Sequence, residues 1–120
     1  MRNSFVLVGL LFSINAFAAS PQELLKQYEL QAKQGNATFA GFSADRGASF
    51  YRTERTHSDG KKVSCSTCHT SDPRQQGKTR ANKVIEPLAP SVNPLRFTDA
   101  AKVEKWFGRN CKDVLERTCT

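Results

Sequence analysis

Apolar residues crowd together from Phe5 to Ile14, then thin into three stretches where they recur every three or four positions. The first follows Ser20-Pro21-Gln22-Glu23, where Ser20 can cap a helix, Pro21 suits its first position and Glu23 can return a bond to the cap. Leu24, Leu25, Tyr28 and Ala32 share one face of this helix, and Gly35-Asn36 ends it. A second helix is predicted from Ser43, with Asp45 in its first turn, Phe50 and Tyr51 further on, and Gly47 leaving room for a neighbour to approach. The third starts at Thr98-Asp99, with Thr98 as capping residue and Asp99 as first-turn acid, and runs to about Arg109, with Val103, Trp106, Phe107 and Asn110 at helical spacing on one face.

Between these helices the periodicity stops. Thr53 to Ser64 is polar, carries Asp59-Gly60 and reads as a loop. Ser71 to Pro94 contains Pro73, Gly77, Pro87, Pro90 and Pro94, which forbid a long helix. An irregular segment of that length in a small domain implies that something other than protein organises it, with Ile85, Leu88 and Val92 packing on that body. The fold class is mainly α, with little to suggest a sheet.

The first apolar run sits behind Arg2 and ahead of Ala16-Phe17-Ala18, a small-x-small cleavage signal, so residues 1–18 read as a secretory signal peptide. The run is too short to span a bilayer, and no later segment is apolar enough to do so. Residues 19–120 then form one small domain with a limited core of its own, on the periplasmic side of a bacterial inner membrane where disulfides persist. Loss of Arg2 takes the formal charge from +7 to +6. The remaining basic residues are spread out, as in Lys61-Lys62, Lys78, Arg80, Lys83 and Lys102 to Lys105. Such a spread is ordinarily a solvated surface; in a redox protein it also steers encounters with an acidic partner. Nucleic acid is excluded as a partner, since no reading motif accompanies the charge.

Cys65-Ser66-Thr67-Cys68-His69 carries the chemistry. Two thiols three apart can add across the vinyl groups of one porphyrin, and the imidazole that follows is then delivered to one face of the ring as the proximal iron ligand. A thiol oxidoreductase site would open a helix within a βαβ unit, which is missing from the pattern around these residues. A zinc site would need four soft ligands, and the chain's two histidines and two distant cysteines lack zinc-finger spacing. Two structural disulfides remain the bland alternative, leaving a haem-free exported protein.

The other face of such a haem is open to question. Methionine sulfur is a common ligand there, but the one methionine is Met1, which leaves with the signal peptide. His57 lies eight residues before Cys65 in a polar stretch, either a second axial ligand in a bis-histidine carrier or a solvated loop residue. Asn110 lies one turn after Trp106 on an apolar face. There it either ends the helix as a left-handed cap or finds an iron as partner for an amide that would otherwise lose about 1–3 kcal/mol.

The chain resembles the sphaeroides haem protein (SHP) family of monohaem cytochromes c. The resemblance rests on Cys65 to His69, on Glu86-Pro87-Leu88-Ala89-Pro90-Ser91, on Arg96-Phe97-Thr98-Asp99, and on Val103-Glu104-Lys105-Trp106-Phe107-Gly108-Arg109-Asn110-Cys111 with Cys119 downstream. It implies a small cytochrome c-like fold wrapped round one covalent haem c, held at Cys65 and Cys68, with His69 and Asn110 as iron ligands. It implies a disulfide from Cys111 to Cys119, which would contribute on the order of 2–3 kcal/mol and restrain the neighbouring asparagine. A neutral amide is a weak ligand, accepted by ferric iron and lost on reduction, so the reduced protein would take oxygen or nitric oxide. The implied redox partners are a dihaem cytochrome c and a membrane cytochrome b. Small cytochromes c also commonly use a proline-region carbonyl to accept the proximal histidine N–H, for which Pro87 is the candidate. One departure stands out: family members usually continue into a C-terminal helix, whereas this sequence stops at Thr120 and so reads as truncated, with the face bearing Phe50 and Tyr51 exposed.

Overall fold

A computed structural model describes residues 19–119. The expected signal peptide, residues 1–18, lies outside the described residues. The elements run in the order α1 (Pro21–Gly35), α2 (Ala44–Arg52), β1 (Arg55–Thr56), β2 (Lys62–Val63), α3 (Cys65–His69), β3 (Gly77–Lys78), β4 (Val84–Ile85) and α4 (Ala100–Leu115). Among the described residues no helix is long and apolar enough to cross a membrane.

The helix starts follow local chemistry. Ser20 accepts from the Glu23 N–H while the Glu23 carboxylate takes the Ser20 N–H at 2.6 Å, a complete capping box ahead of Pro21. Ser43 and Asp99 cap α2 and α4 by accepting from the N–H groups of Arg46 and Lys102. Asp99 is thus the cap of α4 and not a first-turn acid behind Thr98, whose hydroxyl donates back to the Leu95 carbonyl at 2.9 Å. Among the described residues no neighbouring atom lies within 4 Å of where a Cβ at Gly47 would stand, so no neighbouring helix packs closely there.

Both segments read as loops contain a short antiparallel ribbon. β1 and β2 pair Arg55 with Val63 and Thr56 with Lys62 around the Asp59-Gly60 turn, and β3 and β4 pair Gly77 with Ile85 and Lys78 with Val84. Two-residue strands carry too little alternation to be visible as a period.

The buried core is thin. Leu24, Val63, Val103 and Cys111 are its hydrophobic members among the described residues, with Ser64 as the buried polar one. Larger side chains stay open, Leu95 to 83%, Val84 to 57%, Trp106 to 43% and Phe107 to 42%. All four border one cavity of about 800 Å³. The domain is therefore arranged round a volume within the range of cofactor sites, about 300–1,000 Å³, rather than round packed side chains.

Candidate haem site

The helix that carries the attachment motif is only five residues long, and its own sequence starts it. Ser64 Oγ accepts from the Thr67 N–H at 3.1 Å and Thr67 Oγ1 accepts from the Ser64 N–H at 2.9 Å. A capping box thus occupies the residue before Cys65 and one of the two between the cysteines. At the other end Thr70 stands at φ 64°, ψ 168°, a region nearly reserved for glycine. Tyr51 holds that turn: its hydroxyl donates to the carbonyls of Thr70 at 2.8 Å and His69 at 3.1 Å. Tyr51 is accordingly half-buried and not part of an exposed face; Phe50 beside it is 49% exposed and lies under the Arg55 guanidinium.

β3 presses on the same helix. A Cβ at Gly77 would collide with the Cys68 carbonyl and lie 2.9 Å from His69 Cα, so only glycine lets the strand lie this close. In the sequence Gly77 reads merely as one more helix breaker, and its partner is a long-range backbone contact with no local signature.

Cys65, Cys68 and His69 are half-buried and border the cavity, with both cysteines as free thiols. Burial pushes the Cys65 thiol up, with the Arg55 charge opposing it less strongly. An oxidoreductase cysteine needs the opposite, a thiol pulled down towards its reactive thiolate. Burial, and then the Arg96 charge, lower the pKa of His69 and favour the neutral imidazole that binds metals.

Across the sequence from this helix, α4 contributes Val103, Trp106, Phe107 and Asn110 to the same cavity, all four of the residues expected on one face. The helix runs six residues past the predicted end at Arg109. Asn110 is therefore within the helix, which overturns its reading as a left-handed cap; Glu116, at φ 52°, does that work. Cys111, next to Asn110, is buried and paired with Cys119, their Cα atoms 5.6 Å apart. Tyr28 braces α4 from α1, donating to Glu104 at 2.6 Å with its ring 5.3 Å from that of Phe107.

Three expectations need correction. Val92 does not border the cavity and is 51% exposed, whereas Ile85 and Leu88 do border it, joined by Leu95 and Phe97, which the pattern did not single out. The Pro87 carbonyl accepts from Asn93 Nδ2 at 3.0 Å and Arg96 Nε at 2.9 Å, so both its lone pairs are engaged without His69. His57 does not border the cavity either; its Nε2 donates to the Val114 carbonyl at 3.0 Å.

A broad apolar cleft bordered by two free cysteines and their following histidine suits a flat, largely apolar, covalently held group. Residues 37–120 match a family described as a domain of unknown function, DUF1924. The cytochrome c-type protein SHP of Cereibacter sphaeroides is 45% identical over 101 residues, 84% of this chain and 74% of its own. The chain belongs to the SHP family of cytochromes c. The structure of oxidised SHP, described as an oxygen-binding cytochrome c, superposes with a TM-score of 0.72 at 43% identity, over 86% of this chain and 87% of that one. The solution structure of cytochrome c'' from Methylophilus methylotrophus gives 0.73 at 36% identity, over 82% and 81%. The cofactor of this SHP-family chain is covalently attached haem c, and Cys65 to His69 fits the attachment motif. The mainly helical, small cytochrome c-like architecture agrees with the sequence expectation.

Proposed function

We propose that this chain is a periplasmic monohaem cytochrome c whose distal ligand is exchangeable, transferring electrons and taking up a diatomic gas, oxygen or nitric oxide, when reduced. When bound, haem would supply a one-electron iron centre that takes its ligands from this chain. Cys65 and Cys68 hold the porphyrin as thioethers, His69 takes the proximal position and Asn110 the distal one. The observation that carries this reading is that Asn110 borders the cavity of His69 from within α4, where it has no capping role. The pairing of Cys111 with Cys119 supports it by restraining the turn that bears Asn110.

The Asn110 amide is a neutral donor, and its hold on a ferric centre would weaken once reduction removes a positive charge. Trp106 and Phe107 border the same cavity, and their apolar surface favours a small apolar guest over water. Among the relatives, SHP is described as oxygen-binding, and cytochrome c'' as a protein whose haem ligand detaches. Residues 1–18 act as the export signal. Lys83 and Lys102 at the cavity rim suit an acidic or haem-containing redox partner, a dihaem cytochrome c or a membrane cytochrome b. The bis-histidine alternative is not favoured, because His57 is engaged with Val114.

Carbon monoxide titration of the reduced protein tests the open position. A shift of the ferrous spectrum on adding the gas is expected, and a low-spin ferrous spectrum unmoved by it refutes the reading. Asn110→Ala should alter the ferric spectrum while leaving the haem attached.

A further inference from the structure

The hairpin that leads into the attachment helix also grips the far end of α4. His57 Nε2 donates to the Val114 carbonyl at 3.0 Å. Ser58 donates twice to the Glu116 carboxylate, through its N–H at 2.9 Å and its Oγ at 2.7 Å. Val114 belongs to the last turn of the helix, where carbonyls have no intrahelical donor. Glu116 closes the helix in a left-handed conformation, φ 52° and ψ 25°, which disfavours a residue with a side chain by about 1–2 kcal/mol. The two bonds from Ser58 oppose that preference and keep the terminus in place. From Ser58 the chain turns at Gly60 and runs through β2 directly into Ser64, the N-cap of α3.

We propose that His57 and Ser58 are positioning residues for the distal ligand: they latch the end of α4 to the hairpin that carries the attachment helix and so set how readily Asn110 leaves. The proposal rests on Asn110 being that ligand. Val114 is one helical turn beyond Asn110, so displacement of the last turn reaches Asn110 through unbroken helix. The hairpin is continuous with the helix bearing His69, which makes the latch a link between the two ligand-bearing helices. This gives His57 a role that is neither axial ligand nor solvated loop.

The haem-loaded protein carries the test. Glu116→Gly removes the carboxylate while suiting the left-handed terminus better, so the helix end survives; His57→Ala removes the other donor and His57→Gln retains one. Amide hydrogen exchange at residues 112–116 should rise in Glu116→Gly and His57→Ala. Cyanide binding to the ferric protein should accelerate roughly three- to tenfold in both, with His57→Gln returning most of the way. In an Asn110→Ala background the same substitutions should leave the cyanide rate unchanged, because the group they position is gone. Acceleration that persists in that background, or cyanide rates equal to wild type in the single variants, overturns the latch. The ferric spectrum of Asn110→Ala decides the ligand reading separately: an unchanged spectrum removes that reading and the latch with it, whereas a changed spectrum with equal cyanide rates overturns the latch alone.

Discussion

α3 and α4 border the same cavity but are secured by different means. Five residues cannot sustain a helix alone, and α3 is fixed at both ends by contacts with its backbone: the Ser64–Thr67 box, the Tyr51 hydroxyl and Gly77 against Cys68. α4 has sixteen residues and an apolar face, enough to be a helix in its own right, and neighbours reach it at the Glu104 and Glu116 carboxylates and at the Val114 carbonyl of its last turn, with the Cys111–Cys119 bridge beside Asn110. Such partly exposed hydrogen bonds contribute about 0.5–1.5 kcal/mol each. Labour is divided accordingly: the element that presents the motif cannot shift without breaking its own fold, whereas the end of α4 beyond Asn110 is held by a few polar ties and one disulfide.

The sharpest way to break that contrast is Gly77→Ala. The added methyl meets the Cys68 backbone, which has no free direction, so stability should fall by about 1–3 kcal/mol or more and the fraction of chain carrying haem should drop severalfold. Soret absorbance per mole of protein and the thermal midpoint measure both, and near-normal values for both mean α3 is not pinned by β3. Next in size is Tyr51→Phe, which frees the His69 and Thr70 carbonyls and should lower stability by about 1–2 kcal/mol. Thr70→Gly should recover part of that loss by relieving the turn, and an additive pair of effects would show that Tyr51 and the strained residue act independently.

The smallest effect belongs to α4. Burial, followed by the bond to Glu104, pushes the Tyr28 hydroxyl up to about 12 from an ordinary 10.0. The folded state therefore favours the protonated phenol: its stabilisation is whole below pH 10.0 and is lost as pH rises through about 12. The advantage of wild type over Tyr28→Phe in thermal midpoint should be a degree or two near neutrality and shrink across that window. A gap that stays constant would mean the hydroxyl contributes nothing through Glu104.

What the sequence made readable was local. The caps at Ser20 and Ser43, the Cys65 to His69 run and the Val103 to Asn110 face each depend on residues within two turns of one another, and the start of α4 was legible to within one residue, Asp99 capping in place of Thr98. What stayed hidden depends on distant partners or on a missing signal. The end of α4 went unannounced, because its left-handed terminus at Glu116 lacks the glycine that usually marks such an end, and this left Asn110 readable as a cap. Gly77, Tyr51 and His57 each act on backbone eight to fifty-seven residues away, where spacing carries no information. Val92 was misplaced because an apolar residue in an irregular segment has no period to orient it.

The thinness of the buried core bears on how such a protein is made and kept. With so few buried side chains of its own, the polypeptide cannot gain much by collapsing without its cofactor, so acquiring haem and acquiring tertiary structure become one event. A reversibly held porphyrin would make the unfolded chain the product of every dissociation. Thioether bonds convert that equilibrium into a permanent condition, so the cofactor stays with the chain even when tertiary structure loosens around it.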